Sequence, residues 1–337
     1  MNFPDAFIDF LNKEGVDPKV YSVETPRYFI WNTLYPLETD TIEKEFPGVL
    51  KLEPPYDYII GIDLSSLVAV ETLDINPNDK VLDLCCAPGN NGFFVGVGTK
   101  LSVIASKLGD SGIGSVTGVD ISLSRLNNCR SIMKRMKVNK ARVYCTDGTT
   151  FDKLAPDELP NIFEPFQKKR KTKLQKSDDP TLFHESYIFK RRANISCNSL
   201  YDKVLVDAEC THDGSLRHIL KSCVEFNQWD NFLKRIQDQA ALEGLYDLQY
   251  RLLENGYKLL KPDGVLVYST CSLTQSQNEN IIRKFLRATP NAVLEDINTF
   301  LPSKVQPGKV TLPKCIRFDP LCSGISGFFI ARLRKLK

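Results

Sequence analysis

The chain has 337 residues, 42% of them hydrophobic, and 44 Lys and Arg against 41 Asp and Glu give a net charge of +3. That length suits one large domain or two unequal ones, the near-balanced charge names no partner, and no apolar run approaches the ~18 residues that span a bilayer. Ten cysteines without a Cys-x-x-Cys pair, beside only three histidines, argue against a structural zinc site and for reduced, mostly buried thiols in an intracellular protein.

The start, Met1-Asn2-Phe3-Pro4-Asp5, lacks the basic region and apolar core of a secretory signal. Phe3, Phe7, Ile8 and Leu11 predict one face of a short amphipathic helix. Residues 1–65 are expected to form a small α+β module, with apolar runs at Tyr28–Trp31, Val49–Leu52 and Tyr58–Ile62. Residues 66–337 are expected to form the main domain. From residue 79 strands and helices alternate. Strands are predicted at Val81–Leu84, Ser115–Val119, Ala141–Tyr144, Lys203–Val206 and Val265–Tyr268, with short ones at Ala292–Leu294 and Phe328–Leu333. Helices are predicted up to Leu108, over Arg125–Met136, over Phe232–Leu260 with a break near Gly244, and over Glu279–Arg287. Lys261-Pro262-Asp263-Gly264 predicts a turn. The alternation implies an α/β fold with a doubly wound, mostly parallel, seven-stranded Rossmann-like sheet.

Residues 150–200 break the rhythm and are expected to be a partly flexible insertion. Lys168-Lys169-Arg170-Lys171-Thr172-Lys173 is a dense basic run, and Lys190-Arg191-Arg192 follows. Such runs suit nucleic-acid phosphates or an import signal, and equally a solvated insert.

The first predicted strand leads into Cys85-Cys86-Ala87-Pro88-Gly89-Asn90-Asn91-Gly92. This is not the three-glycine dinucleotide fingerprint. Its Pro-Gly turn suits a nucleoside ligand without pyrophosphate, and S-adenosylmethionine is the expected cofactor. Asp120 ends the second strand, where a carboxylate accepts from ribose hydroxyls, and Asp147 follows the third, within reach of an adenine amino group. Singly, each aspartate is more often a cap or turn residue. In order, they favour a nucleoside site.

Two further strands end in cysteines, Val204-Leu205-Val206-Asp207-Ala208-Glu209-Cys210 and Val265-Leu266-Val267-Tyr268-Ser269-Thr270-Cys271-Ser272. Ligands of open α/β sheets bind beyond the carboxyl ends of the strands. Two thiols and a carboxylate in one crevice point to nucleophilic thiol chemistry.

These stretches resemble the Nop/Sun-type RNA (cytosine-5) methyltransferases. The resemblance rests on Val81–Asn91, Val116–Arg125, Val206–Cys210, Leu259–Ser272, Asn278-Glu279 and Gly327–Arg332, and on Gly61–Ser66 before the first strand. It implies Cys271 as the nucleophile that adds to carbon 6 of cytosine and Cys210 as the group that helps release the product. It implies S-adenosylmethionine against Cys85, Cys86, Ala87, Pro88, Gly89, Asn90, Asn91, Asp120, Arg125, Asp147 and Asp207, and an RNA substrate, tRNA or rRNA, with neither metal nor membrane. Asp207 is the candidate group at the ring's N3 and amino nitrogen. The compartment stays open among nucleus, nucleolus, cytoplasm and mitochondrion.

The sequence departs from that pattern in two places. Glu209 stands where the family has Pro, which frees a backbone φ and sets a carboxylate beside Cys210, expected to raise its pKa. Asn90 and Asn91 replace a Gly and a Lys. These departures keep a second reading open, a non-catalytic RNA-binding or assembly factor on a methyltransferase scaffold. A methyltransferase of another class would use Asp83, Asp120 and Asp147 but leave both cysteines without a role. His212 follows Cys210 closely and could be a base, but a lone loop histidine is more often structural or solvent-facing and it is left out of the catalytic set; Trp229 could stack on a base but reads rather as a helix residue packing on the core.

Overall fold

The computed structural model describes residues 3–26, 28–32, 57–87, 99–109, 112–157, 159, 179–191, 195–225 and 227–337. The run Val49–Leu52, the loop residues Pro88, Gly89, Asn90 and Asn91, and the basic run 168–173 lie outside them.

The chain opens with the helix Asp5–Lys13, which buries Phe7, Phe10 and Leu11. The predicted apolar face is therefore rotated: Phe10 is in the core and Ile8 is only half-buried. A 3-10 turn, Pro18–Ser22, follows. Strands β1 (Tyr28–Asn32) and β2 (Asp57–Ile62) pair antiparallel. The helix Leu64–Glu71 comes next, N-capped by Asp63, whose side chain accepts from the Ser65 N–H.

The main sheet comprises β3 (Lys80–Asp83), β4 (Ser115–Asp120), β5 (Ala141–Cys145), β6 (Leu182–Glu185), β7 (Tyr201–Asp207), β8 (Leu260–Thr270), β9 (Ala292–Glu295), β10 (Ile316–Phe318) and β11 (Phe328–Lys335). Among the described residues it has nine strands, in the order β10-β11-β8-β7-β3-β4-β5-β6, with β9 also on β11. The five central strands, β8 to β5, run parallel, and the flanking strands run antiparallel. The fold is thus Rossmann-like, but the sheet is mixed and wider than the seven strands expected. Strands β6 and β10, four and three residues long, are too short for their pattern to declare them, so pairing rather than pattern creates them.

Alternate residues of the central strands serve opposite faces. Val81, Leu205, Val265 and Val267 join one apolar cluster with the helices Leu64–Glu71, Thr99–Leu108 and Leu123–Arg135. Leu82, Val204, Val206, Leu266 and Tyr268 join another with the helices Gln239–Leu259 and Glu279–Ala288. Both faces are covered, which explains the unbroken Val/Leu runs. Residues 3–26 do not reach this sheet core. Phe7, Phe10, Leu11, Val20 and Tyr21 pack instead on Leu216, Ile219, Trp229 and Phe232. Trp229 is a core residue, edge-on to Phe3 and Phe232.

Two local expectations need correction. The long helix breaks at Asp238, not Gly244. Asp238 ends the helix Trp229–Gln237 and its side chain caps the next by accepting from the Ala241 N–H, whereas Gly244 sits inside that next helix with open space where a Cβ would be. The predicted turn at Lys261–Gly264 is a bulge within β8. Tyr201 pairs with Leu260 and Lys203 with Val265, so two steps along β7 face five along β8, and Asp263 takes a left-handed φ of 61° to do so.

Strand order proceeds one way from β3 through β4 to β5 and the other way from β7 to β8. The reversal lies between β3 and β7, and the crevice beyond their carboxyl ends is where ligands of such sheets bind.

Candidate active site

Cys210 lies three residues past β7 and Cys271 directly past β8. Because these strands are parallel neighbours, the loops meet, and the two sulfurs stand 3.3 Å apart although 61 residues separate them in sequence. Cys271 is held well below the usual thiol pKa: the Cys210 S–H donates to it, and that effect with the nearby His212 charge outweighs burial. Cys210 is correspondingly pushed up by burial and by the Cys271 charge. Of the two thiols Cys271 is therefore the more readily ionised and Cys210 the one that keeps its proton more tightly.

The Cys210 thiol is raised as expected, but chiefly by burial and by Cys271. Glu209 is exposed and its charge acts on His212, whose pKa it raises. Its backbone carbonyl accepts from the Gln249 side chain at 2.7 Å, which fixes the loop without a proline.

His212 is the residue that the sequence misplaced. Its Nδ1 lies 2.9 Å from the Cys271 sulfur and 3.7 Å from that of Cys210. It is neither remote nor solvent-facing. The three groups are brought together within 4.8 Å, alone among the described His, Cys, Asp and Glu clusters. The signal that could have revealed it is the His-Asp-Gly turn two residues past a strand-end cysteine.

Both loops are cross-braced. The Gln277 amide donates to Thr211, Ser272 and Thr274 while its oxygen accepts from the Thr211 N–H at 3.0 Å. Asp213 accepts from the Leu273 N–H at 2.7 Å, and the Asp213 carbonyl accepts from the Tyr21 hydroxyl at 2.7 Å. Gly214 donates to the Cys271 carbonyl at 2.9 Å. A Cβ there would stand 2.8 Å from that carbonyl and from the Gly327 carbonyl, so only glycine permits the approach. The N-terminal segment therefore reaches the site indirectly, through Tyr21.

Asp207 is the last residue of β7 rather than beyond it. Its carboxylate accepts from the Ser269 hydroxyl at 2.7 Å, across the Asp207–Ser269 register pair, and pairs with Lys100 Nζ at 2.7 Å. Lys100 begins the helix Thr99–Leu108. Burial lowers its pKa, but Asp207 outweighs this and leaves it raised, a firm cation. The sequence reading did not single out Lys100.

Asp83 ends β3 beneath these groups and is 1% exposed. One oxygen accepts from the Cys85 N–H at 3.3 Å, and the other, Oδ2, is buried without a partner among the described residues. Burial and the Asp207 charge push its pKa up to about 7.

Asp120, the end of β4, accepts from the N–H groups of Ala87 at 3.3 Å and Ser122 at 2.8 Å, and pairs with Arg125 at 2.9 Å. Arg125 thus sits beside the expected ribose acceptor. Cys86 is buried, with its sulfur against Gly118, and Cys85 is half-buried in the same loop. Asp147 accepts from the Thr149 N–H at 2.8 Å, the behaviour of a turn residue. All ten cysteines are unpaired thiols, and no helix among the described residues is long and apolar enough to cross a membrane.

Comparison with known proteins bears on the family and the fold. The family model described as 16S rRNA methyltransferase RsmB/F matches residues 70–164 and 186–334. The tRNA (cytosine(72)-C(5))-methyltransferase NSUN6 of Mus musculus is 28% identical over 79% of this chain and 45% of its own length. Ribosomal RNA small subunit methyltransferase B of Enterobacter sp. (strain 638) is 28% identical over 88% of this chain and 52% of its own. The chain therefore spans about half the length of these curated relatives. A solved methyltransferase homolog from Pyrococcus horikoshii has the same fold, with a TM-score of 0.60 over 99% of this chain and all of that one, at 22% identity. With most of its length matched by the family model, the chain belongs to the RsmB/F family of Sun/Nop-type methyltransferases.

Proposed function

We propose that the protein transfers a methyl group from S-adenosylmethionine to carbon 5 of a cytosine in tRNA or rRNA, through a transient bond between Cys271 and carbon 6. The observation that carries this reading is the 3.3 Å contact of Cys210 and Cys271 beyond the ends of two adjacent parallel strands, with Cys271 the thiol held down.

The residues present fit the cofactor. Asp83 Oδ2 is a buried acceptor without a partner among the described residues, a match for the ammonium of a methionine moiety. Asp120, already oriented by two backbone amides and Arg125, can accept from ribose hydroxyls. Bound there, S-adenosylmethionine supplies an electrophilic methyl. Carbon 5 of cytosine is too weak a nucleophile to take it unaided. Addition of the Cys271 thiolate to carbon 6 makes the ring electron-rich at carbon 5. As charge develops at N3 the ring takes a proton there from water, and Asp207, held by Ser269 and Lys100, is the candidate to accept from the resulting N3–H and from the amino group.

Release requires a base at the carbon-5 proton. Cys210 holds its own proton because it is buried and because a thiolate lies beside it. Once Cys271 is bonded to carbon, that repulsion is gone and Cys210 can lose its proton to water. It then takes the carbon-5 proton, and the electrons of that C–H bond expel Cys271. The target base must leave its stack to enter the crevice, so single-stranded or locally opened RNA is the substrate form. Residues 1–65 and the basic insert at 150–200 are the proposed RNA-gripping surfaces.

Calorimetric titration with S-adenosylmethionine, followed by transfer of its labelled methyl group to total RNA, tests the reading. Binding with transfer into cytosine is expected; binding without transfer would favour the non-catalytic assembly factor.

Asp83 gives a second, pH-dependent expectation. Its pKa in the folded protein, about 7, exceeds its ordinary 3.8. The raised value means that ionisation opposes folding: stability is full below about pH 4 and is lost as pH rises to about 7, by up to ~1.4 kcal/mol per unit. Asp83→Asn mimics the neutral form. It should flatten the decline in Tm between pH 5 and pH 8 in the cofactor-free protein while weakening S-adenosylmethionine binding by roughly 10- to 100-fold, as lost charge-assisted hydrogen bonds do. A variant that keeps the wild-type Tm slope and cofactor affinity contradicts the assignment.

A further inference from the structure

We propose that His212 is the proton acceptor of Cys271, so that the nucleophile rests as a thiolate beside an imidazolium. This deepens the cytosine-methylation reading, on which it rests for the role of Cys271, and assigns a catalytic group that the sequence pattern does not.

The geometry is that of an acid–base pair. His212 Nδ1 stands 2.9 Å from the Cys271 sulfur, closer than Cys210 does. Sulfurs bound at ~2.3 Å to a tetrahedral metal would stand about 3.8 Å apart. The observed 3.3 Å between Cys210 and Cys271 is a hydrogen-bond contact instead. The ring is also aimed, not merely adjacent. His212 has φ +60°, a left-handed conformation that costs an ordinary residue on the order of 1 kcal/mol and persists where the surroundings enforce it. Those surroundings are present on both sides. Thr211 is tied to Gln277, and Asp213 to the Leu273 amide. The His212 carbonyl accepts from the Ser215 N–H at 3.0 Å.

Charged neighbours act from every side. Cys271 raises the His212 pKa most strongly, burial opposes it, Arg235 of the helix Trp229–Gln237 lowers it and Glu209 raises it. The second imidazole, His218, faces His212 edge-on with ring centres 6.2 Å apart. Burial, the His212 charge and Arg235 push His218 down to about 4. It stays neutral near pH 7, so the site holds one imidazolium, on His212.

The step balances. The S–H bond of Cys271 breaks, its electron pair stays on sulfur and its proton moves to Nδ1. The pair on sulfur then forms the bond to carbon 6. When the thiolate is expelled, the pair returns to sulfur while the proton has remained on the ring, so the couple is reset without exchange.

The test is the pH dependence of Cys271 alkylation by iodoacetamide in the full chain, followed by mass spectrometry of its peptide. His212→Asn is the informative variant, because asparagine tolerates the same left-handed backbone. The unaltered chain should react at a nearly constant rate down to about pH 6. His212→Asn should lose roughly 10- to 100-fold at pH 6.5 and converge with it near pH 9, as a thiol without its partner does. Superimposable profiles overturn the proposal. A measurement that needs no histidine variant is thiolate absorbance at 240 nm in the unaltered chain against Cys271→Ser. A Cys271 signal at pH 6.5 is expected, and its absence also overturns the proposal. Neither measurement uses RNA. A chain that shows the thiolate but methylates no cytosine would therefore sink the functional reading and leave the acid–base pair standing.

Discussion

Cys271→Ala is expected to abolish methyl transfer, by about 10⁴-fold or more, because it removes the thiolate that forms the bond to carbon 6. S-adenosylmethionine binding should survive, since Asp83 and Asp120 hold the cofactor's expected contacts at other strand ends. Folding should survive as well. The Cys271 side chain is half-buried at a loop mouth, and the bracing of that loop runs through its carbonyl to Gly214 and through Ser272 and Leu273. The measurements are labelled-methyl transfer and calorimetric cofactor affinity on the same preparation. Residual transfer within tenfold of the unaltered chain would move the nucleophile elsewhere, and Cys210 would be the first place to look.

Cys210→Ala should have the opposite signature, an accumulated protein–RNA adduct that survives denaturation. Alanine cannot take the carbon-5 proton, so the Cys271–carbon 6 bond, once formed, has no prompt route to break. Adduct formation should also slow, because the S–H of Cys210 is the largest support for the Cys271 charge; the adduct should therefore grow over minutes to hours and disappear in the Cys210→Ala, Cys271→Ala double variant. If the single variant turns over normally with no adduct, water or Glu209 performs the release. Glu209 is exposed, so the geometry speaks against it.

The parallel core was legible because both of its faces are covered. Runs such as Val204–Val206 and Val265–Tyr268 carry no polar alternation and end abruptly at Asp207 and Thr270, which is also where the chemistry sits. The edges were not legible. Ile316–Phe318 and Leu182–Glu185 are strands because β11 and β5 offer unpaired edges, a tertiary cause that local pattern does not carry. The Lys261–Gly264 turn chemistry was present, but the sheet absorbed it as a bulge. In the site, Cys271, Cys210 and Asp207 were found from strand ends. Lys100 and His212 were not, since each earns its place through a partner more than fifty residues away: Lys100 reaches Asp207, and His212 reaches Cys271, 59 residues on. Asp147, found by position, caps its own turn.

The central claim is that carbon 5 of cytosine is substituted at the Cys210–Cys271 pair. RNA carrying tritium at carbon 5 of cytosine tests it most directly. With S-adenosylmethionine present, the unaltered chain should release tritium to water in step with methyl incorporation, and Cys271→Ala should release none. Methyl incorporation without tritium release, or tritium release that persists in Cys271→Ala, would contradict the account.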